Sequence, residues 1–116
     1  MDLARQNVQV VLGDIERTTG LRPTFTVDAY MNVVRIAYRQ DSTTPSVFAT
    51  TNPEALVETV AYLQDHVAED IWFPWPVCAI HDKGLYAEVH GGEAAWWCRF
   101  GGHLVAPVGS LGVKGA

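Results

Sequence analysis

Cys78-Ala79-Ile80-His81 and, further along, Cys98-Arg99-Phe100-Gly101-Gly102-His103 bracket the stretch that decides how this chain is read. Between Trp75 and Leu104 lie both cysteines, three of the four histidines and three of the four tryptophans. Two thiols and two imidazoles arranged as two pairs are a set of borderline-soft metal ligands. The residues between the pairs read as a hairpin. Asp82-Lys83-Gly84 is a turn; Leu85, Ala87 and Val89 then alternate with Tyr86, Glu88 and His90. Gly91-Gly92 is a two-residue turn signal, and Glu93 to Cys98 returns as the partner strand with Trp96 and Trp97 on opposite faces. Leu104 to Val108 adds a third strand, and the glycine-rich Gly109 to Gly112 reads as a flexible tail.

This order of ligand pair, hairpin, ligand pair and strand resembles the zinc-ribbon class over the C-terminal third of the chain. The resemblance implies a structural Zn site with Cys78, His81, Cys98 and His103 as ligands. It departs from the class in two places. Each pair carries a histidine where ribbons usually carry a second cysteine, and four residues separate Cys98 from His103 where two are usual; Gly101-Gly102 lets the longer loop close. Two alternatives stand beside it: small buried thiols with unrelated histidines, and a Cys78–Cys98 disulfide. His90 is the substitute ligand if His103 is not one. Structural zinc contributes about 10–16 kcal/mol of apparent binding energy in finger peptides, more than the net stability of many small domains.

Outward from that stretch, Asp2 to Thr19 has the period of an amphipathic helix, with Ala4, Val8, Val11, Leu12 and Ile15 on one stripe and Gln6, Gln9, Asp14, Glu16 and Arg17 off it. Gly20 and Pro23 end it. The period then becomes two: Phe25, Val27 and Ala29 alternate with Thr24, Thr26 and Asp28, and a second strand from Val33 to Gln40 points Val34, Ile36 and Tyr38 one way and Arg35 and Arg39 the other. After the turn-forming Asp41 to Pro45, Ser46 to Thr50 is a short third strand. Asn52-Pro53-Glu54 reads as N-cap, first helical residue and dipole partner of a second helix reaching about Asp70, with Leu56, Val57, Val60, Leu63 and Val67 on its stripe. Ile71 to Pro76 is apolar but broken twice by proline, so it reads as an extended connector packed on the sheet or the ribbon.

The expected fold is α+β: an α-β-β-β-α unit over residues 1–70 with a three-stranded antiparallel sheet, a connector over 71–76, and a zinc-ribbon-like β subdomain over 77–116 docked on the first.

The 116 residues carry 8 basic and 13 acidic side chains, a net charge of −5, and the C-terminal third is neutral, which disfavours a polyanion-binding surface. Arg5, Arg17, Arg22, Arg35 and Arg39 are too sparse for a phosphate track. The uncharged runs are too short for a membrane span, no secretory pattern opens the chain, and the expected location is cytoplasmic, where thiols stay reduced. No phosphate-cradling glycine loop occurs, and Ser110 lacks the setting of a nucleophile elbow. Cys98 with His103 or His90 forms a thiol–imidazole pair but has no third orienting group, and a catalytic zinc with Glu88 or Glu93 as base would require one open coordination position.

The expectation is therefore a non-enzymatic interaction or adaptor module with zinc as a structural staple, ahead of a nucleic-acid-binding ribbon and of a small metal- or thiol-dependent enzyme. Trp75, Trp96, Trp97 and Phe100, with Trp72, form either a partner surface or the packing of the joint between the two halves. The face of the sheet left open by the helices is the other expected route to a protein partner or a second copy.

Overall fold

A computed structural model describes residues 2–30, 33–39 and 47–112. Helix α1 (Asp2–Thr19) is followed by β1 (Phe25–Tyr30), β2 (Val33–Tyr38), helix α2 (Glu54–Ile71) and three strands, β3 (Tyr86–His90), β4 (Glu93–Cys98) and β5 (His103–Pro107). The class is α+β, as the alternating periods require. Two antiparallel sheets form, β1-β2 and β3-β4-β5.

Among the described residues, the expected third strand of the first sheet is one antiparallel bridge, Val47 against Val34, with both backbone hydrogen bonds at 3.0 Å. Beyond that bridge the Glu58 carboxylate takes the backbone N–H groups of Phe48 (2.9 Å) and Ala49 (3.1 Å). A side chain of α2 has replaced the ladder partner. Expected residues Gln40 to Ser46 lie outside the described residues. The β1-β2 register sets Asp28 opposite Arg35, and these two form a paired ionic contact at 2.8 and 3.0 Å.

Helix boundaries follow their end chemistry. Gly20 takes φ +78° and donates to the Glu16 carbonyl (2.9 Å), closing α1 in the left-handed conformation that glycine adopts without strain. The start of α2 differs from expectation. Pro53 is the cap, with no side-chain cap bond, and Asn52 instead exchanges two amide hydrogen bonds with buried Asn7 of α1 at 2.9 and 3.0 Å. A long-range pairing has outcompeted the local cap. The acidic end of α2, unfavourable for its dipole, is also resolved by tertiary partners: Asp70 accepts from the Tyr38 hydroxyl (2.7 Å) and pairs with Arg39 (2.9 Å).

One hydrophobic core runs through both halves of the chain. Val8, Val11 and Ile15 of α1, Ile36 of β2, and Val60, Leu63 and Val67 of α2 meet Leu85, Trp96 and Cys98 of the C-terminal part. Leu85 anchors the ribbon to α2, because it is fully buried and its carbonyl accepts from Gln64 (2.7 Å).

The joint is organised by Asp14. The periodicity puts this residue on the polar side of α1, yet it is fully buried and accepts from the Trp96 indole (2.8 Å), the backbone N–H groups of Gly109 (2.7 Å) and Leu111 (3.0 Å), and Arg17 (2.6 Å). These donors satisfy an ion that burial would otherwise make costly. The same contacts overturn the flexible-tail expectation for Gly109 to Gly112, as Arg17 further holds the carbonyls of Gly109 (2.6 Å) and Leu111 (2.9 Å) and Leu111 is buried. None of the described helices is long and apolar enough to cross a membrane.

Candidate metal centre

Two turns of the same construction carry the candidate ligands. In the first, the Cys78 carbonyl accepts from the N–H of Asp82 (2.8 Å), and Asp82 takes φ +54°. In the second, the Cys98 carbonyl accepts from the N–H of Gly102 (2.8 Å), and Gly102 takes φ +66°. Each is one turn closed by a left-handed residue four places after the cysteine. The first is clamped at its base by the Val77–Gly84 bridge and by Cys78 N–H donating to Lys83 (2.8 Å); the second joins β4 to β5.

The turns part ways at the third residue after the cysteine. In the first that residue is His81. In the second it is Gly101, where a Cβ would stand 2.2 Å from Cε1 and 2.8 Å from Nδ1 of His81 and 2.9 Å from Cδ2 of His103. A side chain there would enter the space of both imidazoles, and the fourth candidate ligand stands two residues later, as the first residue of β5. The unusual spacing thus has a steric cause.

The four residues expected as ligands come together. One ligand atom from each of Cys78, His81, Cys98 and His103 lies within 4.8 Å of all the others, and the group can hold a metal ion. Nδ1 of His81 is 3.5 Å from Sγ of Cys78 and 3.4 Å from Sγ of Cys98, and Nε2 of His103 is 3.4 Å from Sγ of Cys78. Both cysteines are buried and free, so the disulfide alternative is not formed.

Surrounding groups prepare the ligands. His103 Nδ1 donates to the Leu104 carbonyl (3.2 Å), which orients the ring with Nε2 toward Cys78 Sγ. The Gly101 N–H donates to Cys98 Sγ (3.4 Å). Burial pushes the Cys78 thiol up, but the backbone N–H groups of His81 and Ile80 and the imidazoles of His81 and His103 outweigh it and bring it down to about 6. A thiolate is the form that ligates.

His90 stands apart from the cluster. It lies 3.3 Å from Glu88 and stacks on Trp97 with ring centres 4.0 Å apart. Glu88, considered as a catalytic base, is engaged by Arg99 at 2.5 Å, and this contact holds its carboxyl below the usual range.

Of the two readings of Trp75, Trp96, Trp97 and Phe100, packing of the joint holds for the first two. Trp75 and Trp96 are core residues, 4% and 0% exposed, packed edge to face at 5.5 Å, with indole N–H groups bonded to Thr18 (2.9 Å) and Asp14. Filling the joint between α1 and the ribbon is worth more than exposure for so large an apolar group. Trp97 is half-buried under His90, and of the four only Phe100, beside His81 at 5.2 Å, is fully open. The connector is corrected in the opposite sense: Trp72 and Phe73 do not pack inward but are 89% and 70% exposed. Trp72 is the left-handed cap of α2, with φ 63°, and its N–H donates to Ala68. Ile80, at the tip of the first ligand turn, is exposed as well.

The fold and site therefore define an α+β chain with a Cys2His2 candidate metal centre at the end of a β-ribbon. No protein-family model, curated protein or solved structure matches the chain.

Proposed function

We propose that this chain is a non-enzymatic protein-interaction module whose ribbon is stapled by a structural zinc ion on Cys78, His81, Cys98 and His103. The observation that carries the reading is that four candidate ligand atoms, all from the protein, lie within 4.8 Å of one another, enough to close a tetrahedral site with no position for substrate. Zn–S bonds of about 2.3 Å and Zn–N bonds of about 2.0–2.1 Å imply a tetrahedral S···N edge of about 3.5 Å. The three S···N separations of 3.4, 3.4 and 3.5 Å support that metal. Two thiolates and two neutral imidazoles also balance a divalent charge, which suits a partly buried site.

The interaction role rests on exposed Phe73, Val77, Ile80 and Phe100, on or beside the first candidate ligand turn, a kind of surface that marks docking sites. The arginines weigh against a nucleic-acid surface, since Arg17, Arg22, Arg35, Arg39 and Arg99 each pair with a carboxylate.

The test is metal analysis of protein purified without chelator, with thiol alkylation in parallel. About one equivalent of zinc per chain is expected, with both cysteines protected until a chelator is added. Metal-free protein whose thiols react equally with and without added zinc would overturn the staple.

A further inference from the structure

An apolar concavity of about 620 Å³ lies between the end of α1, the connector and the ribbon, with Trp75 in its lining. Its volume falls in the range of small-ligand and side-chain pockets. One wall is interleaved with the proposed ligands: Val77 and Ala79 flank Cys78, Asp82 follows His81, and Val105 is two residues past His103. Val105 reaches this wall because β5 is bulged there. Trp96 pairs with Ala106 and Trp97 with Leu104, so Val105 is the extra residue.

The polar groups of the groove are already used, with one exception. Thr18 and Thr19 hydroxyls donate to the carbonyls of Asp14 and Ile15 (2.7 Å each), and Thr18 receives the Trp75 indole N–H. The Asp82 carboxylate is exposed and has no hydrogen-bond or ion-pair partner among the described residues. Among the described residues of the lining it is the one charged side chain.

We infer that this groove receives a short apolar segment of a partner protein, with a lysine or arginine placed against Asp82. Charge selects this occupant. A cation answers the lone carboxylate, and the chain's net charge of −5 favours a basic partner and opposes a second copy of itself. Exposed Phe73 at the rim supplies the aromatic anchor typical of such contacts. The inference rests on the zinc reading to this extent: a metal that fixes the two ligand turns also fixes the groove wall, so loading and docking are coupled.

The probe is a displayed library of short random peptides selected on the zinc-loaded full chain, with winners resynthesised for fluorescence anisotropy. Winners should combine apolar residues with an adjacent lysine or arginine. Asp82→Asn, which keeps a residue tolerant of positive φ, should weaken them about tenfold, or about 1.4 kcal/mol. Val105→Glu should abolish binding.

Winners without a basic residue, or affinities unchanged in both variants, would overturn the proposal, as would a sedimentation shift from dimer to monomer in Val105→Glu, which would make a second copy the occupant. Metal content measured on each preparation separates the two readings. Peptide binding by metal-free protein keeps the groove and removes the staple, whereas one equivalent of zinc with no peptide enrichment removes the groove alone.

Discussion

Gly101→Ala and Gly102→Ala, one residue apart, should fail in different ways. At Gly101 the new Cβ would lie 2.2 Å from His81 Cε1, which falls about 1.2 Å short of ordinary carbon contact. Coordination tolerates distance errors of only about 0.2 Å, so in the zinc-bound form proposed above His81 would leave the ion, and His103, 2.9 Å from the same Cβ, would be pushed too. Dividing an apparent zinc affinity of about 10–16 kcal/mol among four ligands gives roughly 2.5–4 kcal/mol per ligand, so affinity should fall by about two to three powers of ten. Gly102 has open space around its Cβ position but φ +66°, so alanine there costs about 1–2 kcal/mol of backbone strain with the ligands in place. Competition against chelators of graded affinity measures the first effect, and urea denaturation of the loaded protein measures the second. Equal metal affinity in wild type and Gly101→Ala, or a larger affinity loss in Gly102→Ala, would refute the steric account of the ligand spacing.

Other perturbations read the scaffold. Asp14→Leu orphans an indole N–H and two backbone N–H groups, while Arg17 keeps the Gly109 and Leu111 carbonyls, and should cost about 3 kcal/mol or more in chemical denaturation, given about 1–3 kcal/mol per unsatisfied buried donor; a loss under about 1 kcal/mol would contradict its place as organiser of the joint. Tyr38 is held above its ordinary 10.0 by burial and by donating to Asp70. Its folded-state pKa is raised, so the stability it contributes is present below about pH 10 and lost as pH climbs through the higher folded value; Tyr38→Phe should flatten the alkaline limb of a stability–pH profile. Glu88 is displaced the other way, chiefly by Arg99, so its contribution is present above the usual carboxylate range and lost as pH falls through the lower folded value. Glu88→Gln should therefore reduce the acid sensitivity of unfolding, and an unchanged acid limb would show that the Arg99 contact carries no stability.

Much of this protein was legible in residue order alone, because the information was local. Both helices follow from apolar residues at three- and four-residue intervals, since a helix can bury only one stripe. The paired strands follow from alternation and turn residues, and Cys78, His81, Cys98 and His103 were identifiable because few side chains ligate soft metals. What local pattern could not supply was the choice among partners far along the chain. Asp14 has the sequence signature of a solvated helix residue, and its buried role exists only because Trp96, Gly109 and Leu111, 82 to 97 residues away, bring their donors to it. Asn52 looked like a cap until Asn7 became available, and Ser46 to Thr50 looked like a strand until Glu58 took its amides. The tryptophans were ambiguous for the same reason, as an indole serves equally as core or as surface. Packing of the ribbon on α1 placed Trp75 and Trp96 inside and left Trp72 and Phe73 in solvent, a decision taken by geometry between elements and recorded in neither one of them.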